Sequence, residues 1–321
     1  MLIITSRWPG RCLILSASVL WSLSGVFVRL LCHPVGGSLS HPPLPPLVIA
    51  FYRCLFAALV LTPALRRQTV AWHPLMLLMA LFFAAMNALF VSALSLGTAA
   101  NAIILQYTAP FWLYLAAVGW LGEQVRLREI LALGLALSGV AVIVVDGFRA
   151  TQADTTSFVA VLVALGSGVA YAGVVFCLGL LRDYNSTWLT WLNHAVAALS
   201  LLPVVGFFTW PHFEQLLVLL AFGAIQMALP YWLVSRGLKT VPPHEAGMLS
   251  LIEPILNPLW VYILVPEEIP ASATWIGGCL ILMALVWRFW PTSTPATPPG
   301  QTDANSCVPV RAATNPPENL T

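Results

Sequence analysis

AGMLSLIEPILNPLWVYILV, Ala246 to Val265, would read as unbroken hydrocarbon were it not for Glu253, Asn257 and the prolines Pro254 and Pro258. A helix rising 1.5 Å per residue needs about 20 apolar residues to cross roughly 30 Å of hydrocarbon, and this run has that length. An ionised carboxylate midway along such a span costs about 3 kcal/mol even on a lenient insertion scale. Glu253 therefore needs a reason to be there. The composition settles the surrounding medium: 59% apolar and 8% charged residues cannot supply the polar surface of a water-soluble globule.

Read as a membrane protein, the 321 residues divide into ten apolar segments, at 12–31, 47–65, 74–93, 99–121, 128–146, 158–180, 187–208, 214–235, 244–265 and 272–290. The breaks are short, the clearest being the proline- and glycine-rich stretch 32–46. The first segment is too long for a signal-peptide core and lacks a small-residue cleavage site, so it reads as a span.

With residues 1–11 in the cytoplasm, the inner loops carry Arg7, Arg11, Arg66, Arg67, Arg126, Arg128, Arg182, Arg236, Lys239, Arg288 and Arg311. The outer side carries only Arg29 and Arg149, and this positive-inside bias predicts that both termini face the cytoplasm of an inner-membrane protein. The tail 291–321 is rich in Pro, Thr and Asn and reads as disordered. The net charge of +2 includes no basic run, so nucleic acid is not an expected partner. Six cysteines in no ligand spacing predict neither a disulfide framework nor a metal site, and no cofactor motif occurs.

The ten segments form two halves, 12–146 and 158–290. Offset by 144 positions, Ala102, Leu105, Pro110, Leu115, Glu123 and Gly134 match Ala246, Leu249, Pro254, Leu259, Glu267 and Gly278. An odd number of spans per repeat sends the halves into the membrane in opposite senses. Inverted repeats give one central site two related conformations, each open to a different face, which suits alternating access.

The stretches ALSLGTAANAIILQYTAPFWLYLAAVGWLGE (Ala93 to Glu123) and GLKTVPPHEAGMLSLIEPILNPLWVYILVPEE (Gly237 to Glu268) resemble the two signature regions of EamA-type carriers in the drug/metabolite transporter superfamily. The resemblance spans roughly 12–290 and implies an all-α membrane protein of ten helices in two inverted five-helix repeats. It also implies a secondary carrier, often an efflux exporter of amino acids, metabolites or toxic compounds, with no cofactor and no metal. The pattern departs at the end of the ninth span, where Val265, Pro266 and Glu267 replace the Leu-Gly-Glu kept at Leu121, Gly122 and Glu123.

Polar residues at membrane depth supply the candidate site. Helical spacing places Glu245, Leu249, Glu253 and Asn257 on one line with Ser250 beside them, which makes Ser250, Glu253 and Asn257 candidate solute contacts. Glu253 is also the candidate proton carrier; the plainer reading is a hydrogen-bonded structural acid. Pro110 and Pro254 cannot donate a backbone bond, so each frees a carbonyl, at Gln106 and Ser250, and both read as hinges.

Arg53, Asn87, Gln106, Tyr107 and Trp112 complete the expected binding set, with Trp21, Tyr171 and Trp232 as further aromatic walls and Asn101 and Gln226 as interhelical bonds. Arg53 either snorkels or turns inward to an anionic group. His194, beside Asn193, is a second proton-coupling candidate or a buried histidine.

The function expected is secondary transport of an amino acid, nucleobase or drug-like solute, outward and coupled to protons at Glu253. The partners are that solute, membrane lipid and a second copy in a homodimer. No HExxH, GxSxG or P-loop motif is present, so an enzyme is not expected. The competing class is a membrane-embedded enzyme or lipid-modifying protein with Glu253 and His194 as acid and base, which requires the two to converge on one reacting position.

Overall fold

A computed structural model describes residues 8–65, 70–121, 127–150, 155–181, 183–241, 246 and 249–290. Arg7, Arg66, Arg67, Gly122, Glu123, Arg126, Arg182, Glu245, Cys307, Arg311 and the tail from residue 291 lie outside the described residues, as does the side chain of Arg149. Every regular element among the described residues is helical. Seven helices are long and apolar enough to cross a bilayer: Trp8–Cys32, Pro46–Ala64, Pro74–Leu96, Leu127–Asp146, Phe158–Leu180, Ser186–Val205 and Phe213–Gly237. The protein is a multi-pass membrane protein.

The expected spans 99–121 and 244–265 are not continuous helices. The first comprises α5 (Ala99–Gln106) and α6 (Ala109–Leu121), separated by a turn at Tyr107 and Thr108. In the second, a turn at Leu251 and Ile252 precedes α12 (Glu253–Leu264). Pro110 and Pro254 each occupy the second position of the helix that follows the break, where a missing N–H removes no intrahelical bond. The prolines thus separate helices where the sequence alone suggested a kink. The last expected span is a shorter apolar helix, α13 (Ser272–Phe289).

The remaining elements are α1 (Trp8–Trp21), α2 (Ser24–Cys32), α3 (Pro46–Leu61), α4 (Pro74–Leu96), α7 (Leu127–Ala150), α8 (Thr155–Leu180), α9 (Ser186–Val205), α10 (Phe213–Ala221) and α11 (Leu229–Gly237). Several starts are fixed by side-chain caps that satisfy free N–H groups. Asn185 accepts from Trp188 N at α9, and His212 forms a reciprocal box with Gln215 at α10. Between α10 and α11 the chain widens into a π-helix, Phe222–Ala228.

Close packing follows the small residues. α7 meets α13 at Gly139 and Gly277, where a Cβ on Gly139 would lie 2.5 Å from the Gly277 carbonyl. An ion pair from Arg288 to Glu129 at 2.5 Å joins the same two helices. Gly168 lets α8 approach α5, since its Cβ would fall 2.9 Å from the Leu105 carbonyl. α8 also packs along α4, α3 along α9, and α12 against α2 and α5. Outward positions are apolar and open, Leu199 at 67% and Ile263 at 64% exposure, as lipid-facing helices require.

Candidate functional site

The breaks after α5 and before α12 meet at a polar cavity of about 200 Å³. At roughly 30 Å³ per water, that volume equals about seven waters. Gln106, Tyr107 and Pro110 line it from the first break, and Ser250 and Glu253 from the second. α3 and α4 contribute Arg53, Met86 and Phe90. Trp21, Tyr171 and Tyr231 add aromatic surface, and the π-helix adds Gln226 and Met227.

The Tyr107 hydroxyl lies 2.7 Å from Glu253 Oε2 and 2.9 Å from the Ser250 carbonyl oxygen. That carbonyl lies before the turn at Leu251 and Ile252, outside the hydrogen bonding of α12. A hydroxyl has a single proton to give, so its two neighbours compete for it. With Glu253 ionised, Tyr107 donates to the carboxylate. With Glu253 protonated, the acid can donate to the tyrosine oxygen while Tyr107 donates to Ser250. The trio can therefore accommodate either charge state without moving a heavy atom.

Arg53 is 2% exposed and lies in the same cavity wall. Its Nε donates to Asn87 Oδ1 at 2.5 Å, and Asn87 Nδ2 donates to the Ala50 carbonyl at 3.0 Å, which fixes the amide against α3. The guanidinium carbon sits 5.2 Å from the Phe222 ring centre and 6.0 Å from that of Phe90. Nη1 has no hydrogen-bond partner, and no carboxylate among the described residues pairs with this arginine. Gly223 makes the neighbouring π-helix fit, because its Cβ would lie 2.7 Å from the Arg53 carbonyl. Gln226 donates to the Trp21 carbonyl at 3.1 Å and leaves its Oε1 without a partner.

Other sequence-selected residues are placed elsewhere. Asn87 stands behind Arg53 and reaches the cavity through it. Trp112 donates its indole N–H to Thr108 Oγ1 at 2.9 Å, outside the cavity walls. Asn257 is fully buried and donates to Ser24 Oγ at 2.7 Å, tying α12 to α2. Asn101 accepts from Thr274 Oγ1 at 2.7 Å, and Trp232 stacks under Arg236. Pro254 turns away from the cavity toward a crevice of about 560 Å³ between α12 and α13. That larger crevice is walled by exposed apolar side chains such as Ile255 and Trp275, so it offers a surface for lipid rather than for a polar solute.

His194 is fully buried, edge-on to Phe83 and Tyr231, with neither ring nitrogen hydrogen-bonded. It does not line the cavity that holds Glu253, so the acid and base of an enzyme are not brought to one position.

One cluster had no counterpart in the sequence reading. Glu268, in the loop after α12, accepts from Arg29 Nε at 2.6 Å, Arg29 Nη2 at 2.9 Å and the Ala99 amide at 2.8 Å. Arg29 also donates to the carbonyls of Leu94 and Gly97, both at 2.6 Å. The cluster ties α2, the α4–α5 junction and the loop after α12 together. A paired Arg and Glu separated by 239 positions leave no local signal.

A multi-pass helical protein with a polar cavity between two broken helices suits a membrane transporter, and the family match and transporter-named relatives give that class rather than an enzyme. The chain belongs to the EamA-like transporter family, which matches residues 8–145 and again residues 158–290. An uncharacterized transporter from Archaeoglobus fulgidus is 29% identical over 286 residues, covering 88% of this chain and 97% of that one. The uncharacterized transporter YvbV of Bacillus subtilis is 33% identical over 113 residues, 35% of this chain and 32% of the relative. A solved crystal structure shares the fold with a TM-score of 0.58 at 17% identity, over 88% of this chain and 97% of the other.

Proposed function

We propose that this transporter is a secondary carrier of ten spans in two inverted five-helix repeats, 12–146 and 158–290, that exports a small organic solute by alternating access. The observation that carries the proposal is the contact from the first broken helix to the second, Tyr107 to Ser250 and Glu253, inside one polar cavity. Broken helices expose backbone polar groups, and at membrane depth such groups are tolerated where they face a cavity or neighbouring protein.

In this reading Arg53, Gln106, Tyr107, Ser250 and Glu253 contact the solute, Asn87 positions Arg53, and Asn257 and Trp112 support the two breaks. Pro110 and Pro254 are the hinges. The Arg29–Glu268 cluster is the latch that shuts one end of the path. Both termini lie in the cytoplasm, following the charge bias of the loops.

Glu253 carries the coupling proton, since the trio it forms with Tyr107 and Ser250 accepts either charge state. Transport driven by a pH gradient, measured in proteoliposomes with wild type and Glu253→Gln, tests this role. The variant is expected to retain measurable solute exchange while its response to the gradient falls at least tenfold. A variant that keeps the full gradient response rules out coupling at Glu253.

A further inference from the structure

Arg53 presents a charge without a countercharge. Desolvated arginines in membrane proteins ordinarily pair with a carboxylate or reach the interface. Arg53 does neither: it is 2% exposed, its Nε is occupied by a neutral amide, and its Nη1 is unsatisfied. We propose that Arg53 is the docking point for a carboxylate on the transported solute, an assignment that rests on the carrier reading above.

The chemistry fits on three counts. A guanidinium offers N–H donors in a planar fork that matches a carboxylate, and here Asn87 holds the Nε edge of an arginine that lines the cavity with no carboxylate partner among the described residues. Phe90, 6.0 Å from the guanidinium carbon, lines the cavity together with Met86, which favours an apolar or aromatic body attached to the acid group. Gln226 Oε1, also unsatisfied in the same lining, seeks a donor such as an N–H. A carboxylate is shared by simple aromatic acids and by zwitterionic amino acids. The second class would also use Gln226 and Glu253 for its ammonium group.

The test uses the purified full-length protein and matched probes: indole-3-acetate, tryptophan, indole-3-acetamide and tryptamine, with benzoate, benzamide and benzylamine as a second series. Affinity is read from the ligand-induced rise in unfolding temperature. In wild type the carboxylates are expected to bind at least tenfold more tightly than the amide or amine of the same body. Arg53→Gln is expected to abolish that preference while amide affinity stays within twofold. Tryptophan binding above indole-3-acetate selects the zwitterion, and the reverse order selects the simple acid.

The assignment is overturned if no carboxylate binds, if amide or amine binds as tightly as the acid, or if Arg53→Gln leaves the order unchanged. Should Arg53→Gln fail to fold, Asn87→Ala, which leaves the charge but not its orientation, must weaken acid binding selectively or the assignment falls. Carboxylate binding in this order without saturable flux in vesicles would defeat the carrier reading and leave Arg53 assigned. Saturable flux of tryptamine without carboxylate preference would do the opposite.

Discussion

Arg29 and Arg53 lie on neighbouring membrane helices, both largely removed from solvent, yet their surroundings differ in kind. Arg29 has donors on both oxygens of Glu268 and on two backbone carbonyls. Arg53 has one neutral partner and an unsatisfied nitrogen, with its guanidinium carbon 5.2 Å from the Phe222 ring centre. Complete satisfaction at low dielectric fixes one arrangement of the helices that contribute to it. Incomplete satisfaction is a cost in the empty site that a ligand can relieve. In the proposed carrier the first arginine closes a path and the second awaits cargo.

Breaking the satisfied arginine should have the largest effect. Arg29→Ala leaves the part-buried Glu268 with only the Ala99 amide, a loss of about 3 kcal/mol in stability, at the low end for a buried pair. Thermal unfolding in detergent should register it as a clear fall in midpoint, and substituting Glu268 as well should recover part of the loss. An unchanged midpoint would remove Arg29 from its role as a latch. A smaller effect is expected at the other arginine through its support. Asn87→Ala removes one hydrogen bond to a charged group, about 1.5 kcal/mol, or roughly a tenfold loss of benzoate affinity. Its unfolding midpoint should change less than that of Arg29→Ala. Equal losses in both variants would erase the distinction between the two sites.

Much of this arrangement was legible because a bilayer makes polar residues conspicuous. Glu253, Ser250, Tyr107, Gln106 and Arg53 stand out against hydrocarbon, and all five line one cavity. The prolines marked the breaks in both halves, since each removes a donor at a position that a continuous helix would need. Helix rotation was less legible. α6 is apolar on every side, so nothing in its pattern told which way Trp112 would point. Asn257, expected among the solute contacts, lies outside the lining of that cavity, and His194, read as a proton-coupling candidate or a buried histidine, is fully buried: depth can be counted along a sequence, and facing cannot.

The π-helix at Phe222–Ala228 carries neither proline nor periodic mark, and the fit of Gly223 against the Arg53 backbone becomes meaningful only once α3 is alongside. The Arg29–Glu268 pair was split by its own topology. The charge alternation placed Arg29 on the outer side, but no rule of spacing joins it to a residue 239 positions away.

Alternating access requires the cavity between the broken helices to open to each face of the membrane in turn. Ser250→Cys, in a chain whose six native cysteines are replaced by alanine, places a thiol in that cavity at the cost of one atom change. Labelling by a membrane-impermeant methanethiosulfonate should proceed in right-side-out and in inside-out vesicles, and indole-3-acetate should slow it from either side. Fixing the latch closed with a bifunctional thiol cross-linker between cysteines at positions 29 and 268, whose backbones an Arg–Glu contact holds farther apart than a disulfide spans, should abolish labelling from one side only. Labelling confined to a single face in the unlatched protein would contradict alternating access.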